Sequence, residues 1–571
     1  MKVFATALLL ALSLRAQPGD PREAHWVRLT TSDFDLYTCG GEKEGRELLR
    51  TFEQIRGFFQ KASPVPLLED FPIRVVAFNS PDQFAFYSPS GKAVAYFAPG
   101  PRTDYIVMRD PTRASYAFGV HEYMHLLIKH SGLHVPLWLN EGWADVYSTL
   151  RPVHDGVAVG DLIPERLTTL KTSPWLPLQA LAAVNTESKL VSETQRIGIF
   201  YAESWALVHM LFLSPEYSPG FPKFLSALNR GRGMAEAFQS AFGRTDDEVF
   251  GDLQNYMTGR RVNGHVFEVS LGKSDQAVEF SKVDSFDVRL MLADLTIALN
   301  RRTEAVEEYE ALARLRSDNM LVAEGLGFAA LSIKNYEEAR VNFEKAFAAG
   351  DANALMCLQL SLLEGRVHDG ARVESALNRA LQTKPDYVEA QFEMGLYRIA
   401  LRQYPQALDA LLSIKKIDPA RAASVFSSIA YAYFETGDLE RARANAVVAK
   451  EWATNPRQTA GEDGMLATID ARAKSPFAPH PGEGTQRVDG ILTNVDCTSQ
   501  AGQQRIVLNV AEKPLVLILP DLKAVETVHR GPDRNLNLTC GPQNPEHLLI
   551  DYAPSTVLKA GPAGVIRRIE F

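Results

Sequence analysis

The chain has 571 residues, too many for one hydrophobic core, and its 46% hydrophobic and 23% charged residues are the balance of a globular protein rather than a disordered one. Its 60 Lys and Arg against 69 Asp and Glu give a formal charge of −9, and no Lys/Arg-rich run stands out, so nucleic acid is excluded as an expected partner.

The chain opens with "MKVFATALLLALSLRAQPGD". Lys2 precedes an apolar stretch from Val3 to Leu14, and Ala16 offers a small residue at a cleavage point. That stretch is shorter than the roughly 20 residues a membrane span needs, so residues 1–16 are expected to be a signal peptide, with a buried first helix as the alternative. The mature protein is then expected outside the cytoplasm, periplasmic or extracellular, with no transmembrane segment.

Three textures follow. Residues 24–262 mix strand-like runs such as "PIRVVAF" and "DYIVMRD" with helical segments, and "AVAYFAPGPRTDYIVM" predicts two strands joined at Pro99–Pro101. Residues 284–456 predict short helices with a repeat. Ala305, Ala339 and Ala407 share one register at steps of 34 and 68, Gly327 and Gly395 lie 68 apart, and Ala442 marks a further unit. A 34-residue period with small residues where helices touch resembles the tetratricopeptide repeat, whose hairpins stack into an all-α solenoid and commonly offer a surface to a protein partner. "SPFAPHPGEG" at 475–484 reads as a linker, and residues 485–571 alternate with period two, predicting a small all-β barrel or sandwich. No CxxC pair occurs among Cys39, Cys357, Cys497 and Cys540; the last two share the C-terminal segment and could form a disulfide in an oxidising compartment.

The chemistry lies in "HEYMH", residues 121–125, and "NEGWAD", residues 140–145. On a helix His121 and His125 share a face, near enough to hold one metal ion, with Glu122 beside it. Glu141 is expected to start a second helix and add a carboxylate as third ligand, leaving a fourth position open as catalytic zinc requires. Asp145, four residues on, is placed to accept the free N–H of a liganding histidine. Two His and one Glu could also hold other divalent ions.

These motifs resemble the gluzincin metallopeptidases, specifically the peptidase MA-like domains of bacterial exported proteins, over roughly residues 28–260. The chain departs from better-known relatives in the fifteen residues between His125 and Glu141. The resemblance implies an α+β metallopeptidase domain with one Zn(2+) per chain held by His121, His125 and Glu141. Glu122 would be the general base that takes a proton from the attacking water and returns it to the leaving amine. It also implies that Tyr201, at the start of the helix in "YAESWALVHML", stabilises the oxyanion; a packing role is the alternative. An edge strand, "YIVM" or "AYFAP", would pair with a peptide or protein substrate, or else serve only as sheet core. His209 is expected to be an ordinary core or surface residue, and His130 and His134 to be solvated. No GxMEN-like glutamate is found, so endopeptidase and aminopeptidase both stay open. The competing expectation is a catalytically inactive peptidase-like scaffold that binds partners through its helical repeats.

Overall fold

The computed structural model describes residues 19–62, 73–89, 93–154, 156–185, 194–259, 262, 264–269, 277–415, 417, 419–473, 485–497, 504–528, 536–554 and 562–571. The expected signal peptide (1–16) and the linker (475–484) lie outside them. The chain divides into two units, Met1–Asp369 and Gly370–Phe571.

The first unit begins with β1 (Val27–Thr30), β2 (Phe34–Thr38), α1 (Glu42–Ala62), β3 (Ile73–Ala77), α2 (Pro81–Ala85), β4 (Ala95–Ala98) and β5 (Tyr105–Met108). Next come α3 (Tyr116–Ser131), α4 (Leu137–Ser148), β6 (Arg151–Val153), β7 (Gly156–Val159), α5 (Pro164–Thr172), α6 (Leu178–Ala182) and α7 (Thr194–Leu213). Helices α8 (Phe221–Asn229), α9 (Met234–Phe242) and α10 (Asp246–Thr258) lead to β8 (His265–Phe267) and β9 (Glu279–Lys282).

A mixed six-stranded sheet runs β4-β5-β3-β2-β1-β9, and a smaller one runs β6-β7-β8. β2, β3 and β5 pair in parallel and carry apolar residues on both faces, as strands covered on both sides must. On one face Leu36, Val75 and Ile106 pack with Phe52 and Ile55 of α1 and with Tyr123 and Met124 of α3. On the other, Tyr37, Val76 and Val107 pack with Val288, Met291 and Leu295.

Those last residues belong to α11 (Ser285–Ala298), the first of the repeat helices. Both faces of the sheet are therefore covered only when chain beyond residue 262 is included. β8 and β9 also lie past 262, and β9 hydrogen-bonds along β1. The sheets therefore run past the boundary expected at 262, as far as Lys282. β9 reads "EFSK", exposed throughout, so it carries no apolar alternation to mark it as a strand.

The first unit continues with α12 (Arg302–Leu315), α13 (Met320–Ser332), α14 (Tyr336–Ala348) and α15 (Ala354–Arg366). The second holds α16 (Gly370–Thr383), α17 (Val388–Ala400), α18 (Tyr404–Leu412), α19 (Pro419–Thr436), α20 (Leu439–Glu451) and α21 (Pro456–Ala473). The helical array thus extends past the expected end at 456. Its period shows in the buried positions Ala305, Ala339, Val373, Ala407 and Ala442, each about 34 residues from the last. It shows again in the hairpin turns, where Asn300, Lys334, His368 and Arg402 all adopt left-handed backbone with φ of 58–64°. Gly327 and Gly395 allow close approach: a Cβ would lie 2.3 Å from Phe343 and 2.6 Å from Leu411 respectively. These are helical repeats of the tetratricopeptide kind.

The second unit ends in β10 (Gln486–Asp496), β11 (Gln504–Val510), β12 (Lys513–Leu519), β13 (Glu526–Val528), β14 (Gly541–Pro554) and β15 (Gly564–Glu570). The order is β12-β11-β10-β14-β15-β13, and β12 also pairs with β15, which closes the sheet on itself. Of barrel and sandwich, this is the barrel. Cys497 and Cys540 are joined in a disulfide beside it, and neither Cys39 nor Cys357 takes part in a disulfide.

Candidate metal centre

Two local features bring the motifs together. Gly119 lets α3 lie against α1 and the sheet, where a Cβ would sit 3.1 Å from Phe52 and 3.2 Å from Met108. Gly142 does the same for α4, since a Cβ there would lie 2.2 Å from the Ser204 carbonyl oxygen of α7. α3 closes at Gly132, which takes the left-handed cap conformation (φ 71°), and α4 follows after a short loop. Glu141 does not start that helix. Pro136 is its N-cap, and the buried Trp138 and Leu139 form its first turn, so Glu141 sits one turn in.

The rings of His121 and His125 stand 4.7 Å apart at 87°. Their Nε2 atoms lie 3.5 and 3.6 Å from the same oxygen, Glu141 Oε2, and the ligand atoms of all three residues fall within 4.8 Å of one another. These separations are too long for good hydrogen bonds. They match the edges of a tetrahedron, roughly 3.3–3.6 Å, for ligands bound 2.0–2.2 Å from one ion. Each imidazole is also held from behind. His121 Nδ1 lies 3.1 Å from Asp145 Oδ1, and His125 Nδ1 lies 2.9 Å from Asn140 Oδ1. An amide oxygen can only accept, so His125 carries its proton on Nδ1 and turns the Nε2 lone pair to the centre. Two imidazole nitrogens and one carboxylate oxygen, partly open to solvent, fit a zinc-type divalent cation.

Asp145 is itself fixed by Arg166 of α5, Nε to Oδ2 at 2.7 Å. Burial would raise the Asp145 carboxyl, but the His121 hydrogen bond and the Arg166 charge hold it below the usual range. Burial works against a charged His121, yet Asp145 and Glu141 push its value up to about 10. Glu122 stays above the ordinary glutamate range because burial outweighs the two histidines and a hydrogen bond from the Phe97 N–H, 2.7 Å from Oε2.

Tyr201 lies mid-way along α7 rather than at its start, because the chain is already helical from Thr194. Burial, then the Glu141 charge, pushes its phenol up to about 12, and the Arg166 guanidinium lies 5.1 Å over its ring. His209 is a core residue, held between the Tyr256 hydroxyl and the Gly160 carbonyl. His134 is exposed, but His130 is not simply solvated: its Nε2 lies 2.8 Å from Asp104 Oδ2. Of the two expected edge strands, "YIVM" is interior, paired on both sides; "AYFA" is the edge.

Asn140, Arg166 and the Phe97 amide escaped sequence reasoning. Asn140 stands next to the candidate ligand Glu141 in "NEGWAD". Arg166 is 21 residues from its partner on another helix, and a backbone donor has no residue signature.

No family model matches the chain, and no curated protein matches it. Among solved structures it is similar to YrrB, a TPR protein with an unusual peptide-binding site, at 21% identity over 31% of this chain and 91% of that one (TM-score 0.29). It is also similar to MamA, at 18% identity over 29% and 91% (0.27), and to TTC0263, a thermophilic TPR protein of Thermus thermophilus, at 18% over 32% and 99% (0.23). Among the described residues no single helix is long and apolar enough to cross a membrane.

Proposed function

We propose that the chain is an exported zinc-dependent peptidase of the gluzincin type. The observation that carries this is the convergence of His121 Nε2, His125 Nε2 and one Glu141 oxygen, with both Nδ1 atoms engaged behind. A zinc ion bound there would supply a Lewis acid for the scissile carbonyl and lower the pKa of water toward neutrality. Glu122 takes the proton of the attacking water and returns it to the leaving amine; its Oε2 is engaged by Phe97, which leaves Oε1 for the proton. Tyr201, kept protonated by its raised pKa, donates to the developing oxyanion. Export is supported by the apolar N-terminal stretch and by the Cys497–Cys540 bond, which persists in oxidising compartments.

The test pairs metal content with hydrolysis. About one zinc per chain is expected in the parent and in Glu122→Gln, and none in Glu141→Ala. Glu122→Gln is expected to cut hydrolysis of a quenched peptide library by about 10²–10⁴-fold. Absence of stoichiometric zinc after incubation, or equal hydrolysis by Glu122→Gln, overturns the reading.

One observation favours a second reading, a partner-binding scaffold. Ile333 and Val367, both in the first unit, are exposed apolar residues 34 apart along the repeats. A partner captured equally by Glu122→Gln, and lost when Ile333 and Val367 become Asp, would support it.

A further inference from the structure

The six residues between β4 and β5, "PGPRTD", join two parts of the first unit. Arg102 reaches into the repeat helices. Its Nη1 donates to Asp294 of α11, its Nε to Glu324 Oε2 of α13 at 2.6 Å, and its Nη2 to the Leu321 carbonyl at 2.9 Å. Next to it the Pro101 carbonyl accepts from Asn353 Nδ2, at the N-cap of α15. One short loop thus meets the first helix of three successive repeats.

Asp294 and Glu324 are almost wholly buried, at 2% and 0% exposure, so they need a cation in place. Asn353 completes Glu324 at its other oxygen, at 2.6 Å, and the Tyr309 hydroxyl donates to Asp294. A planar guanidinium with several donors fits these acceptors in a way that an ammonium cannot.

The other end of the loop grips the metal-centre helix. Asp104 accepts from Lys129 at 2.8 Å and lies 2.8 Å from His130 Nε2, both in the last turn of α3. Asp104 also accepts from the Gly100 N–H, and a Cβ at Gly100 would lie 2.4 Å from the Thr103 carbonyl, so the loop is tightly folded. Among the described residues β4 has only β5 as a strand neighbour, through four residue pairs, and its outward Phe97 N–H is the one that holds Glu122. A hairpin that short is weakly held by pairing alone.

We infer that Arg102 is a positioning residue for the centre: by docking the β4–β5 loop on the carboxylate-lined face of the first three repeats, it sets the edge strand whose Phe97 N–H holds Glu122. Its consequence for turnover rests on the peptidase reading; its consequence for the strand does not.

The test is hydrogen–deuterium exchange of the full chain incubated with one equivalent of zinc, alongside metal content and kinetics. In Arg102→Ala, amides of residues 95–98 are expected to exchange about tenfold faster, while residues 137–148 and zinc stoichiometry stay unchanged. Arg102→Lys, offering one ammonium to three acceptors, is expected to fall between. If Arg102→Ala loses its fold, Glu324→Gln keeps the shape, removes one charge and is expected to shift the same amides alone. Turnover is expected to fall through kcat, the step that needs Glu122 held in place. Unchanged exchange at 95–98 in a folded variant whose residues 321–324 have become more labile overturns the inference. A uniform rise across the unit overturns it too, since that marks general stability. A parent that hydrolyses nothing counts against the peptidase reading, and the exchange comparison still decides this one.

Discussion

Each imidazole of the centre is gripped at Nδ1 by a different kind of acceptor, a carboxylate for His121 and an amide for His125. The carboxylate is the stronger partner and is backed by Arg166, so Asp145→Asn is expected to weaken zinc affinity about 10–100-fold in a chelator competition, with the fold intact. Another acid on α7 stands apart from the chemistry. Glu203 is fully buried, accepts from the Leu176 N–H, and burial pushes it up to about 8. An unfolded glutamate titrates at about 4.3, so the folded chain binds this proton more tightly. That stabilisation is complete below the unfolded value and is lost as pH rises through about 8. Glu203→Gln is therefore expected to melt progressively higher relative to the parent between pH 5 and pH 9; a constant difference would remove the acid as the cause. At this scale the sequence was informative where chemistry follows spacing. His121, Glu122, His125 and Asp145 sit at helical intervals from one another or from Glu141, whereas Arg166 and the Phe97 amide reach the centre only through the fold.

The elements that carry the ligands depend on how closely helices can meet. Gly142 is the contact point of α4 with α7. Gly142→Ala must push the helices apart or distort one of them, at about 1–3 kcal/mol, and Glu141 rides on the displaced helix. A lower melting temperature together with weaker zinc binding is the expected pair of effects; loss of stability with unchanged affinity would show that α4 relaxes without moving its glutamate. The period of the repeats was readable from Ala305, Ala339 and Ala407, but one unit was hidden because Val373 stands where the others have alanine. The hairpin turns recur in φ while their residues, Asn300, Lys334, His368 and Arg402, share no type, so that regularity belongs to geometry alone. Helix starts were less legible still. Pro136 opens α4 one turn before Glu141, and α7 begins well ahead of Tyr201.

At the scale of the molecule, the two units have separate covalent fates. The Cys497–Cys540 bond, 43 residues apart in sequence, lies wholly in the second, and removing such a link costs about 2–5 kcal/mol. Mild reduction is expected to speed amide exchange in β10, β11 and β14 while leaving α3 and α4 unchanged; a change at α3 would show the units to be coupled. The β domain was visible as alternating runs, yet alternation is the same in a barrel and a sandwich, and only the β12–β15 pairing distinguishes them. That the sheet continues past 262 was illegible for a related reason, since β9 is an edge strand with no apolar side to bury.

That late strand has a consequence for synthesis on the ribosome. β1 waits about 250 residues for β9, and the apolar face built from Tyr37, Val76 and Val107 waits for α11. A nascent chain that has just released α3 and α4 still presents that face to chaperones, and becomes a finished domain only when the first repeat emerges. Any recombinant fragment ending near 262 would inherit the same open face permanently, so its aggregation would reflect a missing cover and not a defect at the centre.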